Sequence, residues 1–324
     1  MTFDPHHAHR HIPSDGEPDG DGIDRRGFLK CMAWVGTGLV WTMSGGILSA
    51  CTLGSQANGG DTADFTFAQI SDSHIGFKNQ PNQDVTATFQ EAIGKINALP
   101  TPPAFILHTG DLSHLSKPDE FDTVEQALKS ARSGKVFYTP GEHDVFSDNG
   151  KMYLDRYGKG TSGQGWQSFD YKGIHFVGLV NVIGLQNNGL GHLGQDQLDW
   201  LKKDLQGLSS STPVVVFAHI PLWMVYPPWG WGTADAEQAL GLLRRFGSVT
   251  VLNGHIHQVI QKVDGNITFH TARGTAFPQP APGTAPAPGP LVVPAGQLRA
   301  TLGVTSVNYV RGLNPLAIID TTLG

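Results

Sequence analysis

Cysteine is nearly absent: two in 324 residues, Cys31 and Cys51, with none after position 51. The long C-terminal body therefore has no disulfide framework, no thiol nucleophile and no zinc site built on thiolates. Charge is scarce as well, at 15% of residues against about 25% in an average domain. The formal net charge is −6, so no general positive field is available to coat a nucleic acid. What the chain does have is 41 glycines and 21 prolines, which make it rich in loops. Its 39% hydrophobic content, with 16 Phe and 7 Trp, is too apolar for a disordered chain. The length suffices for a large buried core.

The N-terminus reads as a targeting segment. Residues 1–23 are polar and carry His6, His7, His9 and His11. Asp24–Lys30, DRRGFLK, resembles a twin-arginine export signal through the paired Arg25 and Arg26, Phe28, Leu29 and Lys30. Cys31–Ala50 is apolar but rich in Gly and Ser, long enough to cross a bilayer yet weakly hydrophobic. It ends in Leu48-Ser49-Ala50-Cys51, which resembles a lipobox. Residues 1–50 are thus expected to be a cleaved signal peptide, with a lipid anchor at Cys51, a linker over 51–63 and a periplasmic body over 64–324. A retained single-span anchor is the other reading. The four early histidines fall in the cleaved part and are not counted as ligands. Export of already folded protein, which the resemblance implies, suits a cofactor loaded before export.

Beyond the linker, strand-like and helix-like stretches alternate. Asp64–Ile70 alternates apolar and polar around Phe65 and Phe67 and runs into Ser71-Asp72-Ser73-His74. Residues 84–98 have helical spacing, and Ala104–Leu107 is a short apolar strand reaching His108-Thr109-Gly110-Asp111. Residues 118–132 suit a helix, and Lys135–Tyr138 a strand ending at Pro140-Gly141-Glu142-His143-Asp144. A hairpin is expected over Trp166–Tyr171 and Ile174–Val180, then a helix over Gln195–Leu205 and a buried strand over Pro213–Phe217 that meets Ala218-His219. Ala234–Arg245 is a helix, and Val249–Leu252 a strand before Asn253-Gly254-His255-Ile256-His257. Repeated βα units with interleaved hairpins predict an α/β fold. Phe277–Pro294 is dense in Pro, Ala and Gly, which excludes a helix or central strand and predicts a long surface loop. Leu316–Ile319 is a plausible last strand.

Five apolar strands thus end in polar clusters, and strand ends of α/β folds converge on one crevice. One such cluster alone is usually a turn or a paired polar group; five in this order, three with glycines that allow close backbone approach, point to a metal centre. In an extended segment residues i and i+2 point the same way, so Asp72/His74 and His255/His257 can each present two side chains to that crevice.

The clusters resemble the motifs of calcineurin-like metallophosphoesterases, DxH, GDx, GNH[DE], H and GHxH, over roughly residues 66–260. The resemblance implies a four-layer α/β/β/α sandwich with a two-metal site at the strand ends. It assigns Asp72, His74 and His257 to one ion, makes Asp111 the bridge, and gives His219, His255 and the residue at 142 to the other. It also implies in-line attack on phosphorus by a hydroxide bridging the ions, with His143 as acid toward the leaving oxygen and Asp144 orienting it. His74 in the first motif, where purple acid phosphatases have Gly, and His114 in place of their metal-binding Tyr make the chain resemble the class III cyclic nucleotide phosphodiesterase branch more closely.

Glu142 departs from the family Asn. Its extra negative charge favours Mn(II) or Fe(II)/Fe(III) over zinc, which stays compatible. Two readings follow: an exported metal-dependent hydrolase of phosphate mono- or diesters, or a metal-binding or redox accessory lipoprotein with little turnover. A third is an envelope interaction module built on the aromatic and Pro-rich loops. His114 is either a neighbour of the ligands, a substrate contact or a helix cap. Trp223, Tyr226, Trp229 and Trp231 follow His219 and either overhang the metals or pack the loop onto the domain. Arg273 is a candidate phosphate contact, and His108, His175, His192 and His270 are read as structural.

Overall fold

The computed structural model describes residues 63–312 and 316–324. The twin-arginine-like segment, the apolar stretch 31–50, Cys51 and the linker up to residue 62 lie outside them. Among the described residues no helix is long and apolar enough to cross a membrane.

Two sheets carry the fold. In the first, β1 (Phe65–Ile70), β2 (Ile106–His108) and β3 (Val136–Tyr138) run parallel. The second contains β4 (Gln167–Tyr171), β5 (Ile174–Gly178), β6 (Val214–Phe217), β7 (Val249–Asn253), β8 (Gln261–Asp264) and β9 (Ile267–Thr271), in the order β4-β5-β6-β7-β9-β8. β10 (Gly303–Tyr309) and β11 (Ala317–Thr322) return to the first sheet, where β10 lies antiparallel beside β1 and gives the order β11-β10-β1-β2-β3. The helices are α1 (Val85–Asn97), α2 (Pro118–Leu128), α3 (Glu142–Val145), α4 (Lys151–Tyr157), α5 (Gln195–Leu205), α6 (Ala236–Leu243) and α7 (Leu298–Thr301).

Side-chain alternation along the strands builds the layers. Phe65, Phe67, Leu107, Val215, Phe217 and Leu252 point between the sheets into one apolar cluster. Their neighbours Ala68, Ile70 and Ile106 point outward onto Phe89, Ile93 and Ile96 of α1 and Phe121 and Val124 of α2. On the other side Val214, Val216 and Val251 pack under Leu198 and Leu201 of α5 and Leu240 and Leu243 of α6. The central strands are therefore buried on both faces, which is why they read as continuous apolar runs. The result is an α/β/β/α sandwich of four layers. Truncating Phe67, fully buried between the sheets, is worth about 3–5 kcal/mol.

Helix ends follow local chemistry. Asp84 caps α1 by accepting the Ala87 N–H at 2.9 Å. Pro118 opens α2, and the Glu120 carboxylate reaches back to the N–H of Leu115 at 2.8 Å. This helix stops at Leu128, short of the expected 132, where the Ser130 hydroxyl donates to the Ala127 carbonyl at 2.7 Å. The β8–β9 hairpin, turned at Gly265, and strand β10 were not anticipated, and the last strand runs over Ala317–Thr322.

Candidate metal centre

Every predicted ligand sits just beyond a strand or at a helix start, at one end of the sandwich. Asp72 and His74 follow β1, Asp111 follows β2, Glu142 opens α3, His219 follows β6, and His255 and His257 follow β7. The backbone there is not extended, contrary to the spacing argument. Asp72, His74, Asp111, His255 and His257 all have positive φ, between 40° and 71°. Asp and His tolerate this region better than most residues, but a cluster of five marks a strained, functional turn set. Gly141 and Gly254 permit the close approach: a Cβ at Gly141 would strike the Asp111 carboxylate, and one at Gly254 the Ser71 hydroxyl.

Among the described residues, five overlapping groups of three have ligand atoms within 4.8 Å of one another, and the two that share no residue and hold only predicted ligands are the triads Asp72–His74–His257 and Glu142–His219–His255. The DxH pair thus serves one triad, while the two histidines of HxH are divided between both. In the first, the Nε2 atoms of His74 and His257 are 3.2 Å apart, and Asp72 Oδ1 is 3.3 Å from His257 Nε2. In the second, the Glu142 oxygens lie 3.0 Å from His219 Nε2 and 3.0 Å from His255 Nδ1. Asp111 Oδ2 stands between the triads, 3.4 Å from both His74 Nε2 and His219 Nε2.

These residues fit metal ions. Glu142 Oε2, His219 Nε2 and His255 Nδ1 are buried without a hydrogen-bond partner although they approach closely, as lone pairs aimed at a common point do. Two of the histidines spend their other nitrogen on a fixed carbonyl acceptor, and a third faces another imidazole. His219 Nδ1 donates to the Thr109 carbonyl at 2.7 Å, His257 Nδ1 to the Phe277 carbonyl, and His74 Nδ1 faces His114 Nδ1 at 3.4 Å. Such contacts set the tautomer and ring angle of a metal-binding imidazole. The donors are oxygen and imidazole nitrogen only, a set compatible with Mn, Fe or Zn.

Electrostatics agree. Burial alone would raise Asp72, yet His257 and His219 beside it bring its carboxyl down to about 2. Glu142 likewise resists burial and is held well below the usual carboxylate range by His255 and His219. Burial works against a proton on His219, but Asp111 and Glu142 hold its pKa well above the ordinary imidazole value.

His143 and Asp144 differ from the expected arrangement. The ring of His143 is oriented by the carbonyl of His114, which accepts from Nδ1 at 2.8 Å and leaves Nε2 free. Asp144 instead accepts from the backbone N–H of Leu112 at 3.0 Å, Ser113 at 2.8 Å and Gly141 at 2.9 Å, and from the Ser113 hydroxyl at 2.8 Å. It ties the Asp111 loop to the Glu142 loop. Burial and the neighbouring Asp111 charge push its carboxyl up to about 7. Burial opposes a proton on His143 too, but Asp111 and Glu142 raise its pKa above the ordinary imidazole value. His114 does not cap a helix; its ring stacks on His143 at 4.9 Å and edges against Phe77 at 5.2 Å.

A cavity of about 210 Å³ lies above the triads. His74, Asp111, His114, Glu142, His143, His255 and His257 form its floor, and Trp229, Trp231, Phe277, Gln279 and the stretch 288–290 form its walls. The Pro-rich segment is therefore part of the site as well as a surface loop. Phe277 stacks on His74 at 4.8 Å, and Gln279 donates to the His255 carbonyl at 2.9 Å while accepting from the Gly289 N–H at 3.0 Å. Sequence reasoning missed Phe277 and Gln279; their only signal was position, some twenty residues past the last motif. Of the aromatic run, Trp229 and Trp231 line the cavity, while Trp223 packs on Phe269 at 5.0 Å. Arg273 reaches the Thr301 carbonyl and does not line the cavity. His175 pairs with Asp170 and Asp204, His192 with Asp235, His270 with Asp320 and His108 with Ser73, all away from the cavity lining.

Comparison with known proteins agrees with this geometry. A family model described as calcineurin-like phosphoesterase matches residues 65–259. The chain is 24% identical to a 3',5'-cyclic-nucleotide phosphodiesterase from a Nostoc species over 65% of its own length and 79% of the relative's. It is also 24% identical to a glycerophosphodiester phosphodiesterase from Enterobacter lignolyticus over 66% and 78%. Among solved structures, a dimetal phosphatase from Danio rerio superimposes with a TM-score of 0.58 at 16% identity, covering 81% of this chain and 97% of that one.

Proposed function

The chain belongs to the calcineurin-like phosphoesterase family, a metal-dependent class of phosphoric ester hydrolases, and from that premise we propose that it hydrolyses a phosphate ester at a centre where its two triads and Asp111 would hold two ions. Asp72, His74 and His257 would hold one ion and Glu142, His219 and His255 the other, with Asp111 placed between the two triads to serve both. When bound, the ions polarise a phosphoryl oxygen and lower the pKa of water toward neutrality. His143 keeps a proton on Nε2 for the leaving oxygen, its ring fixed by the His114 carbonyl. Asp144 acts through the backbone, holding two ligand loops in register.

The observation that carries this reading is the set of unpartnered ligand atoms of Glu142, His219 and His255 converging beside Asp111. Glu142 stands within its triad, in contact with both imidazoles, so its carboxylate replaces the family amide as a ligand. The accessory-protein reading is not favoured, because the matched relatives are named as phosphodiesterases and phosphatases. Those names support a phosphodiester as the substrate. Mn or Fe is the proposed metal.

The N-terminal motifs support export by the twin-arginine route to the periplasm, with lipid anchoring at Cys51. Elemental analysis of the native protein, paired with hydrolysis of one monoester and one diester, tests the function. About two ions per chain with turnover is the expected outcome; metal-loaded protein that cleaves neither ester overturns it.

A further inference from the structure

The walls of the cavity carry information that the metal ligands do not. Resting on the phosphoesterase reading above, we propose that the ester's alcohol portion is uncharged and apolar, seated against Trp229, Pro288 and Pro290.

Size sets the first limit. About 210 Å³ is below the ~300–1,000 Å³ of pockets for drug-sized ligands, so little beyond the phosphate and one adjoining group is enclosed. Charge sets the second. No Lys or Arg is among the residues lining the cavity, while Asp111 and Glu142 are. A second phosphate or a carboxylate on the substrate would find no Lys or Arg in the lining to pair it, since the ions and His143 serve the reacting phosphate.

The walls are packed against one another and tied to the backbone. Trp231 is fully buried, Trp229 meets it edge-on at 5.0 Å, and Tyr226 meets Trp229 edge-on at 5.1 Å. Gln279 pins the 288–290 lip to the backbone of His255. Preformed apolar surface binds an apolar group with little ordering cost.

The test uses metal-loaded enzyme and three diesters with one leaving group: p-nitrophenyl hexyl, p-nitrophenyl 2,3-dihydroxypropyl and p-nitrophenyl 5-carboxypentyl phosphate. We expect kcat/KM for the hexyl ester to exceed that of the dihydroxypropyl ester by about tenfold and that of the carboxypentyl ester by about 100-fold. Trp229→Ala should bring the hexyl to dihydroxypropyl ratio close to one. Equal rates, preference for the charged ester, or a ratio unmoved by Trp229→Ala would overturn the proposal. Binding of hexylphosphonate against 5-carboxypentylphosphonate, followed by tryptophan fluorescence, separates the two claims. A hexyl preference without cleavage of any ester would sink the hydrolase reading alone, and no preference in binding would sink the substrate class.

Discussion

The two ligand triads differ in how firmly the protein holds them. Asp72, His74 and His257 are at most 2% exposed. Each is tied from behind: Asp72 accepts the His255 N–H at 3.0 Å, His257 is held by the Phe277 carbonyl, and His74 faces His114. In the other triad only His219 is so enclosed; the Glu142 side chain is 27% and the His255 side chain 12% exposed to the cavity. His255 Nε2 has no partner, and Glu142 reaches the centre on a longer stem from a four-residue helix. One triad is an enclosed socket, and the other is an open face toward substrate. The single departure from the family pattern falls on the open face, where a longer carboxylate meets less packing.

The sharpest way to break this contrast is Asp111→Ala, since Asp111 touches both triads. Activity should fall by about 10³-fold or more, with both ions lost by elemental analysis; loss of one ion alone would show that the triads are independent. His143→Gln should lower kcat by about 10²- to 10⁴-fold with metal content unchanged, placing the acid outside both triads. Glu142→Gln keeps the shape and removes a charge. It should weaken retention of one ion by about 10- to 100-fold against a chelator and leave the other in place; loss of both together would erase the difference between socket and face. His114→Leu should act on the opposite triad, loosening its ion by about tenfold while the His143 ring keeps its backbone acceptor.

The smallest effect belongs to a histidine outside either triad. His175 is opposed by burial, but Asp204 and Asp170, each at 2.9 Å, raise its pKa above the ordinary value. A raised histidine contributes stability that is full below the unfolded pKa near 6.5 and lost as pH rises through the folded pKa. His175→Gln should therefore cost on the order of 1 kcal/mol in urea titrations at acid pH and progressively less as pH rises, with metal content unaffected. A cost that grows with pH would contradict the sign.

The centre was legible because its chemistry is local in sequence. Each ligand follows an apolar strand within a few residues, and the polar break after Ile70, His108, Phe217 or Asn253 announces it. The centre's roof was not, because it depends on long-range closure. Composition marks residues 277–294 as loop, but only the fold brings Phe277 against His74 and Gln279 under His255, about 200 and 24 residues away in sequence. Strand β10 was missed for a related reason. Its sequence GVTSVNY carries Ser, Thr and Asn, and it pairs with β1 some 240 residues earlier, so its burial comes from its partner and not from its own period. The β8–β9 hairpin was overlooked despite an Asp264-Gly265 turn signal, since Gln261, Lys262 and Val263 on β8 are exposed.

The left-handed backbone at Asp72, His74, Asp111, His255 and His257 has an evolutionary consequence. Each such residue sits about 1 kcal/mol above what glycine would cost there. Selection for stability alone would therefore replace these five ligands with Gly or Asn and exclude Val and Ile. A descendant released from metal chemistry should drift in that direction and melt higher as it loses activity, leaving a recognisable fossil of the centre in a glycine-rich copy of its five turns.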